Sequence, residues 1–186
     1  MGCAACATET LPWIGVARLG GWAEYGDAIT ALKYRRRWEL GPLLGTRMAT
    51  VAHMEFTSFV KHAVAVVPVP MPWHRRRTRG VDHAALLAQG MAKALHVPLV
   101  QALRRSEGPR QTGRRRAQRL AASMPGVRRT RAGLRLDGPT LLVDDVLTTG
   151  RTAATACRAL RCDSVLLAVV AVAQGNSRAS DAQETH

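Results

Sequence analysis

The chain has 186 residues, of which 47% are apolar, and 27 basic against 13 acidic side chains give it a formal net charge of +14. That length suggests one domain, the apolar fraction excludes a disordered chain, and no apolar run reaches the roughly 20 residues of a membrane-spanning helix. The first residues lack the basic-then-apolar order of a secretory signal, so a cytoplasmic location is the default, and the four cysteines are too few and too unevenly placed for a disulfide framework.

In chain order, residues 1–25 hold a Cys-x-x-Cys pair (Cys3 and Cys6), several glycines and two tryptophans, and read as irregular. From Tyr25 to Met54 the spacing is helical, with Ile29, Leu32 and Lys33, then Leu40, Leu43, Leu44, Met48 and Val51. His62 to Pro70 is a short β-branched run that predicts a strand ending at the prolines. Asp82 is a fair N-cap for a helix over residues 83–95, and residues 97–100 are a short strand candidate. Residues 104–131 show no period and read as a mobile loop. Residues 139–145 predict a strand, 151–161 a helix and 164–173 a buried strand, with a polar tail from Gln174. Strands alternating with helices, with continuous apolar runs, predict a parallel sheet covered on both faces.

The positive charge is concentrated. Between Arg104 and Arg135 there are eleven arginines and one acid, Glu107, and smaller clusters lie at 33–37 and 74–79. Such an excess attracts polyanions, whether nucleic acid or a highly phosphorylated small molecule; a solvated basic surface is the alternative.

The most informative stretch is "PTLLVDDVLTTGRTAATACRAL", Pro139 to Leu160. With the apolar run on a strand and the alanine-rich run on a helix, the loop between them sits at the carboxyl end of a strand and at a helix N-terminus, where open α/β sheets bind ligands. Free N–H groups there suit a phosphate. Gly150 lets the backbone approach, Thr148, Thr149 and Thr152 offer hydroxyls, and Arg151 adds charge or points to solvent. Asp144 and Asp145 cannot face a phosphate, but they can accept hydrogen bonds from a diol nearby. A phosphate beside a diol describes a ribose 5-phosphate.

"LLVDDVLTTGRT" resembles the phosphoribosyl pyrophosphate (PRPP) binding motif of type I phosphoribosyltransferases. Together with "ALKYRRRWELGPLLG", "VVPVPMPWHRRRTRGVDHAALLAQGMA" and "RQTGRRRAQRLA", it is similar to the ComF-like branch of that superfamily, which is associated with DNA uptake and natural transformation. The resemblance spans about residues 26–173 and departs from the family at Asp82 and Ala122, where Asn is usual, and at Arg114, where an apolar residue is usual. It implies a type I phosphoribosyltransferase core, a mainly parallel sheet flanked by helices, with a small N-terminal hood-like segment. The expected division is an irregular N-terminal segment over 1–25, a phosphoribosyltransferase-like domain over 26–174 and a flexible tail over 175–186.

The resemblance also implies roles. Asp144 and Asp145 would hold the ribose 2- and 3-hydroxyls, and residues 148–152 would wrap the 5-phosphate. The strand end "VPVPMP" would contact pyrophosphate through the backbone N–H groups of Val69 and Met71, with Arg76, Arg77 and Arg79 just beyond; a proline-stiffened strand end and a solvated arginine face are the alternatives. The stretch 104–119 corresponds to a flexible catalytic loop, with Gln111 and Arg119 at the matched positions. The same stretch, with Arg114, Arg115 and Arg116, could instead serve as a nucleic-acid contact strip. Mg²⁺ is expected to arrive with PRPP, and no dedicated protein metal ligands are assigned.

Cys3 and Cys6 make one knuckle where the family usually carries a four-cysteine zinc ribbon, and read as its remnant. Cys157 and Cys162, five apart, read as core and helix-end residues. His62, His74, His83 and His96 read as surface or loop residues. The four tryptophans read as packing residues, with Trp73 the one placed to stack on a base. Two functions are therefore expected: an enzyme that transfers the phosphoribosyl group of PRPP to an acceptor with release of pyrophosphate, or a non-catalytic nucleotide and single-stranded DNA binding protein acting in DNA uptake. The acceptor and the oligomeric state leave no mark in the sequence.

Overall fold

The computed structural model describes residues 11–105 and 126–173. Its centre is a four-stranded, wholly parallel sheet in the order β1-β6-β5-β2, formed by β1 (Gly15–Gly21), β2 (Ala65–Pro68), β5 (Thr140–Leu147) and β6 (Val165–Val172). Leu99 extends the β2 edge by a single parallel bridge to Val66, so the strand expected over 97–100 is reduced to one bridge. A second, antiparallel ribbon pairs β3 (Leu103–Arg105) with β4 (Val127–Arg129).

Strand periodicity divides the core in two. Leu141, Val143, Leu166, Ala168 and Val170 face one side of the sheet, and Leu142, Leu167 and Val169 face the other. The first side is covered by α1 (Trp22–Tyr34), α2 (Leu40–Glu55), α3 (Thr57–His62) and α5 (His83–Leu95). The second is covered by α6 (Arg151–Leu160) and by the β3–β4 ribbon. All eight residues of β6 are buried, as a central strand of a doubly covered sheet requires.

Glycines set the helix packing. A Cβ on Gly45 of α2 would lie 2.0 Å from the Leu87 carbonyl oxygen, and one on Gly90 of α5 would lie 2.1 Å from the Pro42 carbonyl oxygen. The two helices therefore cross with their backbones in contact. Pro42 is tolerated because it falls in the first turn of α2, where N–H groups have no helical partner.

Four expectations need correction. Residues 1–25 are not irregular throughout, because Gly15–Gly21 is an edge strand in register with Leu166–Val172; neighbouring glycines hid the short alternation of Val16, Arg18 and Gly20 against Ala17 and Leu19. The helical run 25–54 is two helices, parted at residues 35–39, where Arg36 takes a left-handed φ of 55°. The arginine-rich stretch is paired at both ends, by β3 and β4. β5 does not stop at its two acids but runs on to Leu147, with Asp144 in register with Val169. Among the described residues, no helix is long and apolar enough to cross a membrane.

Candidate functional site

β2 and β5 lie side by side and parallel, so their carboxyl ends open on the same edge. A cleft of about 230 Å³ lies there. β5 and the following turn supply Asp144, Asp145, Thr148, Gly150 and Thr152; the segment after β2 supplies Val69 and Met71; Lys33, Arg75, Arg79, Arg105 and Asp82 complete the wall. Four cations and three carboxylates thus meet in one space, delivered by α1, β3, the short helix α4 (Trp73–Arg79), the cap of α5 and β5.

The turn behaves as its residues require. Gly150 is the N-cap of α6 with φ 74°, a conformation that costs a side-chain-bearing residue about 1 kcal/mol or more. Its carbonyl accepts from Ala154 N–H at 2.7 Å, so the helix starts directly from the turn.

The two acids differ. Asp145 Oδ1 lies 2.8 Å from Lys33 Nζ, and both side chains are about 15% exposed (15% for Lys33, 16% for Asp145). Asp144 accepts from the Asp145 N–H at 2.9 Å. Burial, and then the neighbouring Asp145 charge, push the Asp144 carboxyl up to about 7. Asp82 caps α5 by accepting from Ala85 N–H at 3.3 Å, as expected, and burial raises its pKa. Arg105 is held at the site by a 3.0 Å hydrogen bond from its Nε to the Pro70 carbonyl.

Of the residues expected at a 5-phosphate, Thr148, Gly150 and Thr152 line the cleft, whereas Thr149 and Arg151 are exposed outside its lining. Of those expected at a pyrophosphate, Val69, Met71 and Arg79 line it. Their amides are engaged: Val69 N–H donates to the Val143 carbonyl at 2.8 Å as part of the sheet, and the Met71 backbone bonds to Asp82. Arg76 and Arg77 are not part of the lining, where Arg75 stands instead; Arg77 lies over Trp73, and the charge of Arg76 still acts on Asp82. Gln111, Arg119, Arg114, Arg115 and Arg116 lie outside the described residues, as do Cys3 and Cys6.

Sequence reasoning missed Lys33, Arg75 and Arg105 as site residues, and misplaced His83, which is fully buried. In the sequence, Lys33 carries its helical spacing with Ile29 and Leu32 and its place at the start of the basic cluster 33–37, neither of which separates it from the arginines that follow. His62, His74 and His96 are exposed, and Cys157 is buried with Cys162 half-buried, as expected. Of the tryptophans only Trp13 belongs to the core. Trp73, 46% exposed, carries the Arg77 guanidinium 5.1 Å from its ring centre, and Tyr34, 67% exposed, carries Arg79 in the same way. Among the described residues no group of three or more His, Cys, Asp or Glu side chains is gathered as a metal site. Compared with models of known protein families and with curated proteins, the chain gave no match to either.

Proposed function

We propose that the cleft binds PRPP with its Mg²⁺ and that the protein is a phosphoribosyltransferase of the type I fold, similar to the ComF-like branch. The observation that carries this reading is the pairing, on one strand-turn-helix, of two adjacent carboxylates with a glycine-capped, threonine-bearing helix start, facing a wall of four cations. In this reading Asp144 and Asp145 accept hydrogen bonds from the ribose 2- and 3-hydroxyls. Thr148, Thr152 and the backbone around Gly150 hold the 5-phosphate at the start of α6. Lys33, Arg75, Arg79 and Arg105 face the pyrophosphate, and charge-assisted hydrogen bonds from guanidinium groups suit its departure as the bond at the ribose C1 breaks. Mg²⁺, arriving with PRPP, would supply neutralisation of the pyrophosphate charge, with Asp144 and Asp145 the paired carboxylates the cleft offers it. The residues present are compatible with that arrangement, since three carboxylates and four cations line one cleft and Lys33 is already paired with Asp145. A pyrophosphate-release assay against nucleobases, with and without single-stranded DNA, tests turnover. Release with some acceptor is expected, and tight PRPP binding without release from any acceptor would leave a binding protein.

A second reading is favoured by one observation. The Trp73–Arg77 and Tyr34–Arg79 stacks carry exposed aromatic rings on residues that adjoin the lining residues Pro72 and Lys33 in the chain, and Arg79 itself lines the cleft. Exposed rings beside cations are the surface on which single-stranded nucleic acid stacks. With Arg114, Arg115 and Arg116 adding charge, the same protein would handle single-stranded DNA.

A further inference from the structure

His83 is the first residue of α5, between Asp82 and Ala84, which both line the cleft. It is itself completely buried, and neither ring nitrogen has a hydrogen-bond partner among the described residues. A neutral imidazole carries one donor and one acceptor, and leaving both unmet inside a protein is unfavourable enough that it is rarely tolerated without a reason. His83 lies on the apolar stripe that continues through Leu87 and Met91, so its own helix offers it nothing polar. The charged groups whose fields act on it come from three other elements: Asp145 from β5, Lys33 from α1 and Arg79 from α4; Asp145, two residues beyond Val143, belongs to the sheet face that α5 covers. Only Asp145 among them can accept from an imidazole, and its carboxylate is engaged by Lys33.

We infer that His83 is a positioning residue for Asp145: when an anionic ligand in the cleft draws Lys33 away, the His83 imidazole donates to the released carboxylate and holds it in place for a ribose diol. This rests on the reading of Asp145 as a ligand-holding group. The Lys33 ammonium is a compact charge on a flexible stem, so it can exchange a carboxylate for a phosphate without backbone movement. The ribose hydroxyls then fill only part of the acceptor capacity of Asp145, and a donor from the protein is needed to fix the orientation of the partly buried carboxylate. His83 is fixed by burial at the start of α5 and has no other hydrogen-bond partner among the described residues. Burial holds its pKa below the usual value, Arg79 and Lys33 act in the same direction and Asp145 opposes them, so in the free protein it waits as the neutral ring.

The direct test uses no ligand. Lys33→Met removes the competing cation, and nitrogen-15 NMR of the histidine rings should then show a carboxylate-bonded, downfield His83 N–H that the unchanged protein lacks. Adding Asp145→Asn to Lys33→Met should abolish it. The resonance is the deciding signal, since loss of the Lys33 charge would by itself raise the His83 titration midpoint. Lys33→Gln repeats the test should the Met variant fold poorly. No such N–H in either variant, or the same N–H in the unchanged protein, would overturn the inference. Mg²⁺–PRPP added to the unchanged protein should produce the same signal. His83→Leu should weaken PRPP about tenfold, while His83→Gln, which keeps a donor, should bind within about threefold of the original. Equal losses in the two variants would mean a merely structural role. Failure of PRPP to bind the unchanged protein would count against the phosphoribosyl reading and leave the Lys33→Met result to decide the histidine's role.

Discussion

Lys33 Nζ and Asp145 Oδ1 stand 2.8 Å apart, joining the last turn of α1 to β5 across the floor of the cleft. The pair is shielded on both sides, so it is not one of the surface ion pairs that contribute little. Removing one partner of a buried pair costs about 3–5 kcal/mol when the other is stranded. With His83 taking up the stranded Asp145 carboxylate as inferred above, Lys33→Met should cost less, roughly 1–3 kcal/mol. Urea unfolding of the two single variants and Lys33→Met/Asp145→Asn should give a coupling energy of at least about 1 kcal/mol.

The contribution of Asp144 to stability should fall as pH rises from about 4 to about 7, against an opposite contribution from His83, whose pKa burial lowers from 6.5. The folded protein keeps a proton on Asp144, whose pKa is raised from 3.8 to about 7, while the unfolded chain has already lost its own. Where the folded state binds the extra proton, rising pH favours unfolding. Asp144→Asn removes this contribution, so the variant should gain stability relative to the unchanged protein between about pH 4 and 7. Unfolding midpoints at several pH values check it.

Three glycines should separate backbone contact from backbone conformation. Gly45→Ala and Gly90→Ala each drive a Cβ into the backbone of the facing segment, and overpacking of this kind costs about 1–3 kcal/mol or more. Gly150→Ala has milder contacts, the nearest being the Trp13 ring at 3.3 Å, and suffers mainly from its φ of 74°. Its loss should be about 1–2 kcal/mol, with PRPP affinity falling further than stability. Equal effects on folding and ligand in Gly150→Ala would argue against the turn as a binding element.

If the exposed aromatic rings bind single-stranded DNA, Trp73→Ala should weaken an oligothymidine by about 1–3 kcal/mol without changing the dependence on salt. Replacing Arg114, Arg115 and Arg116 by Ala should instead weaken binding uniformly across sequences and flatten the slope of log affinity against log salt, by about 0.7 for each phosphate no longer neutralised. Fluorescence anisotropy across a salt series distinguishes the two.

Much of this was legible in the sequence because strong local patterns matched their surroundings. The apolar runs of β5 and β6, the Asp82 cap and the turn at Gly150 each have one physical use, and each appears where expected. β1 was hidden because its glycines carry little strand preference and its pairing with β6 is non-local. Lys33 and Arg105 were missed for a related reason: both lie in basic clusters where nothing sets one cation apart from its neighbours, and they reach the cleft only because α1 and β3 pack where they do. His83 did carry a signal, its place one turn before Leu87 on an apolar stripe, which places a histidine inside rather than at the surface.

The central claim, that β5 and its turn hold a ribose 5-phosphate through the paired acids, is tested most directly by calorimetry with Mg²⁺–PRPP. The unchanged protein should bind, and Asp144→Asn/Asp145→Asn should lose at least about tenfold in affinity while remaining folded. Equal affinity in the double variant, or no heat of binding in the unchanged protein, would contradict the assignment.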